Sequence, residues 1–95
     1  ENIYPVEIEE VLYEIPEILE AAIIGVPHEV LGEVPKAYVA TKKGMQIDKT
    51  SILNYCQNRL AKYKVPNDIE FVEELPRNAS GKVLKTELRS STEAI

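Results

Sequence analysis

The sequence predicts an α+β domain, a small three-stranded, mainly antiparallel sheet packed with about three helices. Two patterns predict it. Three short stretches are apolar and β-branched or alternate apolar with polar residues, as strands do, and the segments between and around them repeat apolar residues at helical spacing. Their order is helix, strand, strand, helix, strand, helix. A chain of 95 residues is expected to form one domain, residues 1–95, with one small core.

Pro5 suits the first turn of a helix, and Ile8, Val11, Leu12 and Ile15 follow at helical spacing with glutamates on the other face. The first helix is therefore expected over 5–14, stopped by Pro16. "EAAIIGVP", 20–27, is short, apolar and β-branched, which fits a buried strand. "HEVLGE" turns the chain, and "VPKAYVATKKG", 34–44, supplies a second strand whose Pro35 belongs at a strand start or on an edge. Asp48 is a candidate N-cap for a second helix over 49–62, with Ile52, Leu53, Cys56 and Leu60 on one side. "YKVP" closes that segment at Pro66. "DIEFVEEL" alternates Ile69 and Phe71 with polar neighbours and reads as a half-buried third strand. Residues 83–89 form a last helix with Leu84 and Leu88 four apart, and "SSTEAI" has no pattern and is expected to fray.

With 44% hydrophobic and 28% charged residues, the composition is that of a globular protein rather than a disordered or fibrous one. No apolar run approaches the roughly 20 residues of a membrane span. A net charge of −5 argues against a broad nucleic-acid footprint, which needs a basic face to displace counterions. The charge is polarised along the chain: Glu7, Glu9, Glu10, Glu14, Glu17 and Glu20 crowd the start, and Lys62, Lys64, Arg77, Lys82, Lys85 and Arg89 the last third. Cys56 is the single cysteine and His28 the single histidine, so an internal disulfide, a multi-cysteine zinc site and a Ser-His-Asp triad are not expected. No signal peptide opens the chain, and a cytoplasmic origin is the expectation. The abrupt start at "ENIYP" suggests a piece of something longer.

The stretch that invites chemistry is "LPRNASGKVLK", 75–85, which puts Lys82 behind a turn glycine and ahead of a helix. Three readings are open: a phosphate-loop lysine, a solvated surface charge, or a cation delivered to an anionic site. The phosphate-loop reading fails, because an earlier glycine is missing and Val83, not Ser or Thr, follows the lysine. Pro76 and the helix start give Lys82 a defined mount, from which an ammonium could deliver charge to an oxygen held by another domain. The glutamates of the first helix read as a solvated face, with no metal site expected. His28, Glu29 and Glu33 around Gly32 read as a polar connecting turn.

Four motifs in order, "ENIYPVEIE", "AAIIGVPHEVLGEVPKAYV", "LAKYKVP" and "LPRNASGKVLKTELR", resemble the C-terminal domain of the adenylate-forming enzymes: acyl-CoA synthetases, adenylation domains of peptide synthetases, and luciferases. The resemblance spans nearly the whole chain and is nearest to acyl-CoA synthetases. It implies a mobile lid whose partner, its own N-terminal domain, binds ATP, Mg2+ and a carboxylic acid. The acid is joined to the α-phosphate of ATP with release of pyrophosphate, and the acyl group then passes to CoA.

On this resemblance Lys82 is the lysine that enters the closed site during adenylation, offsetting negative charge as two anions meet. Gly81 lets the backbone approach closely, and Asn78 and Ser80 hold the loop through local hydrogen bonds. Gly32, Glu33 and Tyr4 resemble the part that borders the CoA channel after the domain rotates. Lys62, Lys64 and Arg89 are either contacts for CoA phosphates or solvated charges. Lys85 stands where the family often has Arg, which keeps the charge but loses the planar fork. Two other readings remain open: an adenylation domain serving a phosphopantetheinyl carrier protein, and a free-standing module that contacts an anionic partner.

Overall fold

The computed structural model describes residues 3–93. Helix α1 spans Pro5–Tyr13, strand β1 Ile18–His28, strand β2 Gly32–Thr41, helix α2 Lys49–Gln57, strand β3 Asp68–Phe71 and helix α3 Lys85–Glu93, with one 3-10 turn at Lys62–Lys64. The sheet order is β1-β2-β3. Strands β1 and β2 form a long antiparallel hairpin, and the short β3 pairs parallel to β2. A parallel neighbour needs a long crossover, and α2 supplies it.

Both faces of the sheet are covered, which is why the run Ala21, Ala22, Ile23, Ile24 is buried throughout instead of alternating. Ala21, Ile23, Ala37, Val39 and Ile69 face α1 and α2, where Ile8, Leu12, Ile52 and Cys56 complete one core. Ala22, Ile24 and Tyr38 face the other way and pack with Leu75 and Leu88. The expected single core is thus two, divided by the sheet. Tyr38 ties the second together by donating its hydroxyl to the Leu88 carbonyl, 3.3 Å away.

A bulge interrupts the β1–β2 register between Ile18 and Glu20. One extra residue changes which face the following side chains take. Ile18 therefore shares the α1/α2 core with Ala21 and Ile23, three and five residues on, while Glu20 falls in phase with Ala22 and Ile24 on the α3 face. Pro35 lies in the central strand yet satisfies the rule for edges. The N–H position and C=O of a strand residue point the same way. Its C=O, which accepts from Asn67 N–H at 2.7 Å, faces β3 before that ladder begins at Lys36. Part of the outer edge of β1, at Ala21 and Ile23, is closed by side chains. The Tyr13 hydroxyl accepts from Ala21 N–H at 3.1 Å and donates to Ala21 C=O at 3.3 Å, and a Glu9 carboxylate oxygen accepts from Ile23 N–H at 2.9 Å.

Several boundaries moved. Helix α2 ends at Gln57, five residues early, where Asn58 turns its amide back onto the Asn54 carbonyl. Helix α3 begins at Lys85 because Val83 is engaged in a bridge with Arg77, and it runs on through Glu93 where fraying was expected. Ala94 and Ile95, the end of that expected tail, lie outside the described residues. Phe71 is exposed, so β3 buries only Ile69.

Candidate functional site

The stretch around Lys82 is a small hairpin built from its own backbone. Arg77 and Val83 form an antiparallel bridge, Leu84 N–H donates to the Pro76 carbonyl at 2.8 Å, and Asn78 N–H donates to the Lys82 carbonyl at 2.9 Å. Ala79, Ser80 and Gly81 are the loop, closed by Gly81 N–H on the Asn78 carbonyl at 2.9 Å. A three-residue hairpin loop places its last residue in the left-handed region, and Gly81 takes φ +88° there. The Asn78 side-chain oxygen accepts three bonds, from Ser80 N–H and Lys82 N–H at 3.0 Å and from the Ser80 hydroxyl at 2.8 Å. Asn78, Ser80, Gly81 and Lys82 are therefore one hydrogen-bonded unit.

Charge around this hairpin is sorted. Arg77 donates from Nε to Glu20 Oε1 at 3.1 Å, pairs its Nη2 with the same oxygen, and donates from Nη1 to the Gly81 carbonyl at 2.6 Å. The Glu20 carboxylate beside it raises the Arg77 pKa above its ordinary value. Lys85 pairs with Glu9 at 2.7 Å, so its ammonium is turned toward α1. Lys82 is exposed, and among the described residues its ammonium has no carboxylate within ion-pair distance. Of the three cations at the hairpin and its base, only Lys82 is available to something outside the chain.

The second candidate set lies at the other end of β1. Gly32 takes φ +82° as β2 leaves the turn, opposite His28. Glu33 is exposed, and its carboxyl lies over Gly25, at the position a Cβ there would occupy. Tyr4 is exposed at the N-cap of α1. Glu33 shares a shallow groove with Ile3, Leu31, Val34 and Tyr63, while Tyr4 is not among its lining residues. His28 serves the turn, its Nδ1 accepting from Val30 N–H at 3.2 Å and Leu31 N–H at 3.1 Å. Glu20, which holds the Lys82 hairpin, and His28 are eight residues apart on one strand, roughly 26 Å at about 3.3 Å per residue. The two sets are separate sites. Of the basic residues near the second, Lys64 is paired with Glu7 at 2.6 Å, and Lys62 lines a neighbouring groove with Tyr63 and Leu31.

Sequence reading missed Glu20, Glu9 and Tyr63. The acidic start of the chain is not a uniformly solvated face, since Glu7, Glu9, Glu14 and Glu20 pair with Lys64, Lys85, Arg59 and Arg77. The signal was the polarisation of charge along the sequence, which is what these pairings between its two ends resolve. Among the described residues no group of three or more His, Cys, Asp or Glu gathers as metal donors. Cys56 is buried and its thiol is pushed up to about 11 by that burial, which makes it a core residue rather than a nucleophile. No helix among the described residues is long and apolar enough to cross a membrane.

The geometry can be set beside known proteins. The chain is 49% identical over 89 residues to the 2-succinylbenzoate–CoA ligase of Geobacillus kaustophilus, covering 94% of this chain and 18% of that protein. Its fold superposes on a fatty acyl CoA synthetase of Mycobacterium tuberculosis with a TM-score of 0.91 at 44% identity, over 99% of this chain and 18% of the other. It also superposes on ATP-bound MatB from Rhodopseudomonas palustris with a TM-score of 0.93 at 42% identity, over 98% and 18%. The chain thus spans less than a fifth of the length of each of these proteins. A model of the AMP-binding enzyme C-terminal domain matches residues 7–82, from α1 to Lys82 itself, and the chain belongs to that family.

Proposed function

We propose that this chain is the C-terminal mobile domain, residues 1–95, of an ATP-dependent acid–CoA ligase, which adenylates a carboxylic acid and transfers the acyl group to CoA. Support comes from the family and from relatives named as CoA ligases and acyl-CoA synthetases. The observation that carries the reading is Lys82, an exposed ammonium with no carboxylate partner among the described residues, on a hairpin that its own hydrogen bonds hold in shape. Its partner is the N-terminal domain of the same enzyme, which holds ATP, Mg2+ and the acid. The cytoplasm is the proposed compartment, where a lone thiol with no disulfide partner is at home.

The carboxylate is already a nucleophile, so the first half-reaction needs no base from this chain. It needs two anions brought together, and an ammonium at the α-phosphoryl oxygens lowers the barrier by stabilising the charge that spreads there. Lys82 supplies that cation, and Asn78, Ser80 and Gly81 fix the direction from which it arrives. The Gly32–Glu33 turn and Tyr4, at the far end of β1 from the Lys82 hairpin, border the path of CoA in the second half-reaction. One domain serves both steps by presenting one end and then the other.

The test follows both half-reactions in the full-length enzyme with Lys82→Ala. Acid-dependent pyrophosphate release is expected to fall by orders of magnitude, while thioester formation from preformed acyl-adenylate survives. Unchanged pyrophosphate release would return Lys82 to the status of a surface lysine.

A further inference from the structure

We propose that Arg77 and Glu20 are positioning residues for Lys82, an ion-paired clamp that aims the hairpin during adenylation. The proposal rests on the adenylation role of Lys82. Arg77 bridges two elements: through Nε and Nη2 it holds Glu20 of β1, and through Nη1 it holds the carbonyl of Gly81, the residue before Lys82. The Asn78 network makes the hairpin self-consistent, but those bonds run within the loop and do not fix it to the sheet. The Arg77–Glu20 pair does. Regular alternation along β1 from Glu20 onward puts Glu20 in phase with Ala22 and Ile24, on the face that carries Leu88 of α3. The Glu20 side chain is only 17% exposed, so its carboxylate leaves water to make this pair and is costly to strand without it.

The planar fork is what the task requires. A guanidinium can satisfy a carboxylate and a carbonyl at once, in fixed directions, whereas an ammonium at the same place is a single point donor. Displacing a reacting group by about 1 Å can cost on the order of a hundred-fold in rate. Losing the clamp is therefore expected to reduce the step that uses Lys82 and no other.

The experiment compares Arg77→Ala, Arg77→Lys and Glu20→Ala in the full-length enzyme, with Lys82→Ala and the double variant Arg77→Ala/Lys82→Ala alongside. Each clamp variant is expected to slow single-turnover pyrophosphate release about ten- to a hundred-fold, with KM for ATP and thioester formation from preformed acyl-adenylate near wild type. Arg77→Lys is expected to resemble Arg77→Ala, because it keeps the charge and loses the bridge. The double variant should be no slower than Lys82→Ala alone, since a clamp has nothing to aim once the lysine is gone. Additive losses, or both half-reactions falling together with the melting temperature, would reduce the pair to general stability and overturn the proposal. Wild-type adenylation in the clamp variants beside a crippled Lys82→Ala overturns the clamp alone. Wild-type adenylation in Lys82→Ala overturns the functional reading, and the clamp with it.

Discussion

At Gly81 the demand for glycine is conformational: φ is +88°, and a Cβ built there meets nothing within 4 Å. Gly81→Ala is expected to cost about 1 to 2 kcal/mol from left-handed strain, read by chemical denaturation, with faster hydrogen exchange at the Lys82 amide as the hairpin loosens. Wild-type stability and exchange would show that the loop relaxes around alanine. Gly25 is the opposite case, since its missing Cβ leaves space that the Glu33 carboxyl fills. Residues that act through neighbours were legible in the sequence. Asn78, Ser80 and Gly81 stand within four positions of Lys82, and turn chemistry is local. Glu20 was not legible as a partner of Arg77, because 57 residues separate the two and no local pattern spans that distance.

Helix α2 shows what an element's ends contribute. Asp48 caps it, its side chain accepting from Ser51 N–H at 2.8 Å, and that backbone hydrogen bond holds the carboxyl below its ordinary pKa of 3.8. A folded-state pKa below the unfolded value adds stability that is present above 3.8 and is lost as pH falls through the lower, folded value. Asp48→Ala is accordingly expected to lower the melting temperature at neutral pH, and the gap to wild type should narrow in strong acid; a gap independent of pH would assign the effect to helix propensity instead. The cap was readable because Asp before a helical pattern is a local signal. The far end was not, since Leu60 continues the apolar spacing while Asn58 ends the helix. Likewise, alternation marked β3 as a strand but said nothing of direction, whereas a helix between β2 and β3 favours a parallel pair.

On the scale of the whole molecule, a three-layer arrangement follows from strands buried on both faces, and the sequence carried that information in the unbroken run from Ala21 to Ile24. How the layers are stitched was less visible. Three ion pairs join the acidic start to the basic end and a fourth joins it to Arg59 beyond α2, and the hairpin of Lys82 is fastened at the margin of β1. The same margin determines how copies of the chain meet. A strand with bare amides and carbonyls along its side recruits other strands, yet here Tyr13 already occupies the outward N–H and C=O of Ala21, and Glu9 the outward N–H of Ile23. Tyr13→Phe withdraws the hydroxyl with little change of shape, and it is expected to make light scattering of concentrated samples grow with time where wild type stays flat. Flat traces for both would mean that Glu9 alone suffices. On the proposed function, a lid that leaves and rejoins its partner domain in every turnover would bare its sides each time, and the phenol of Tyr13 is expected to keep that exposure from ending in polymerisation.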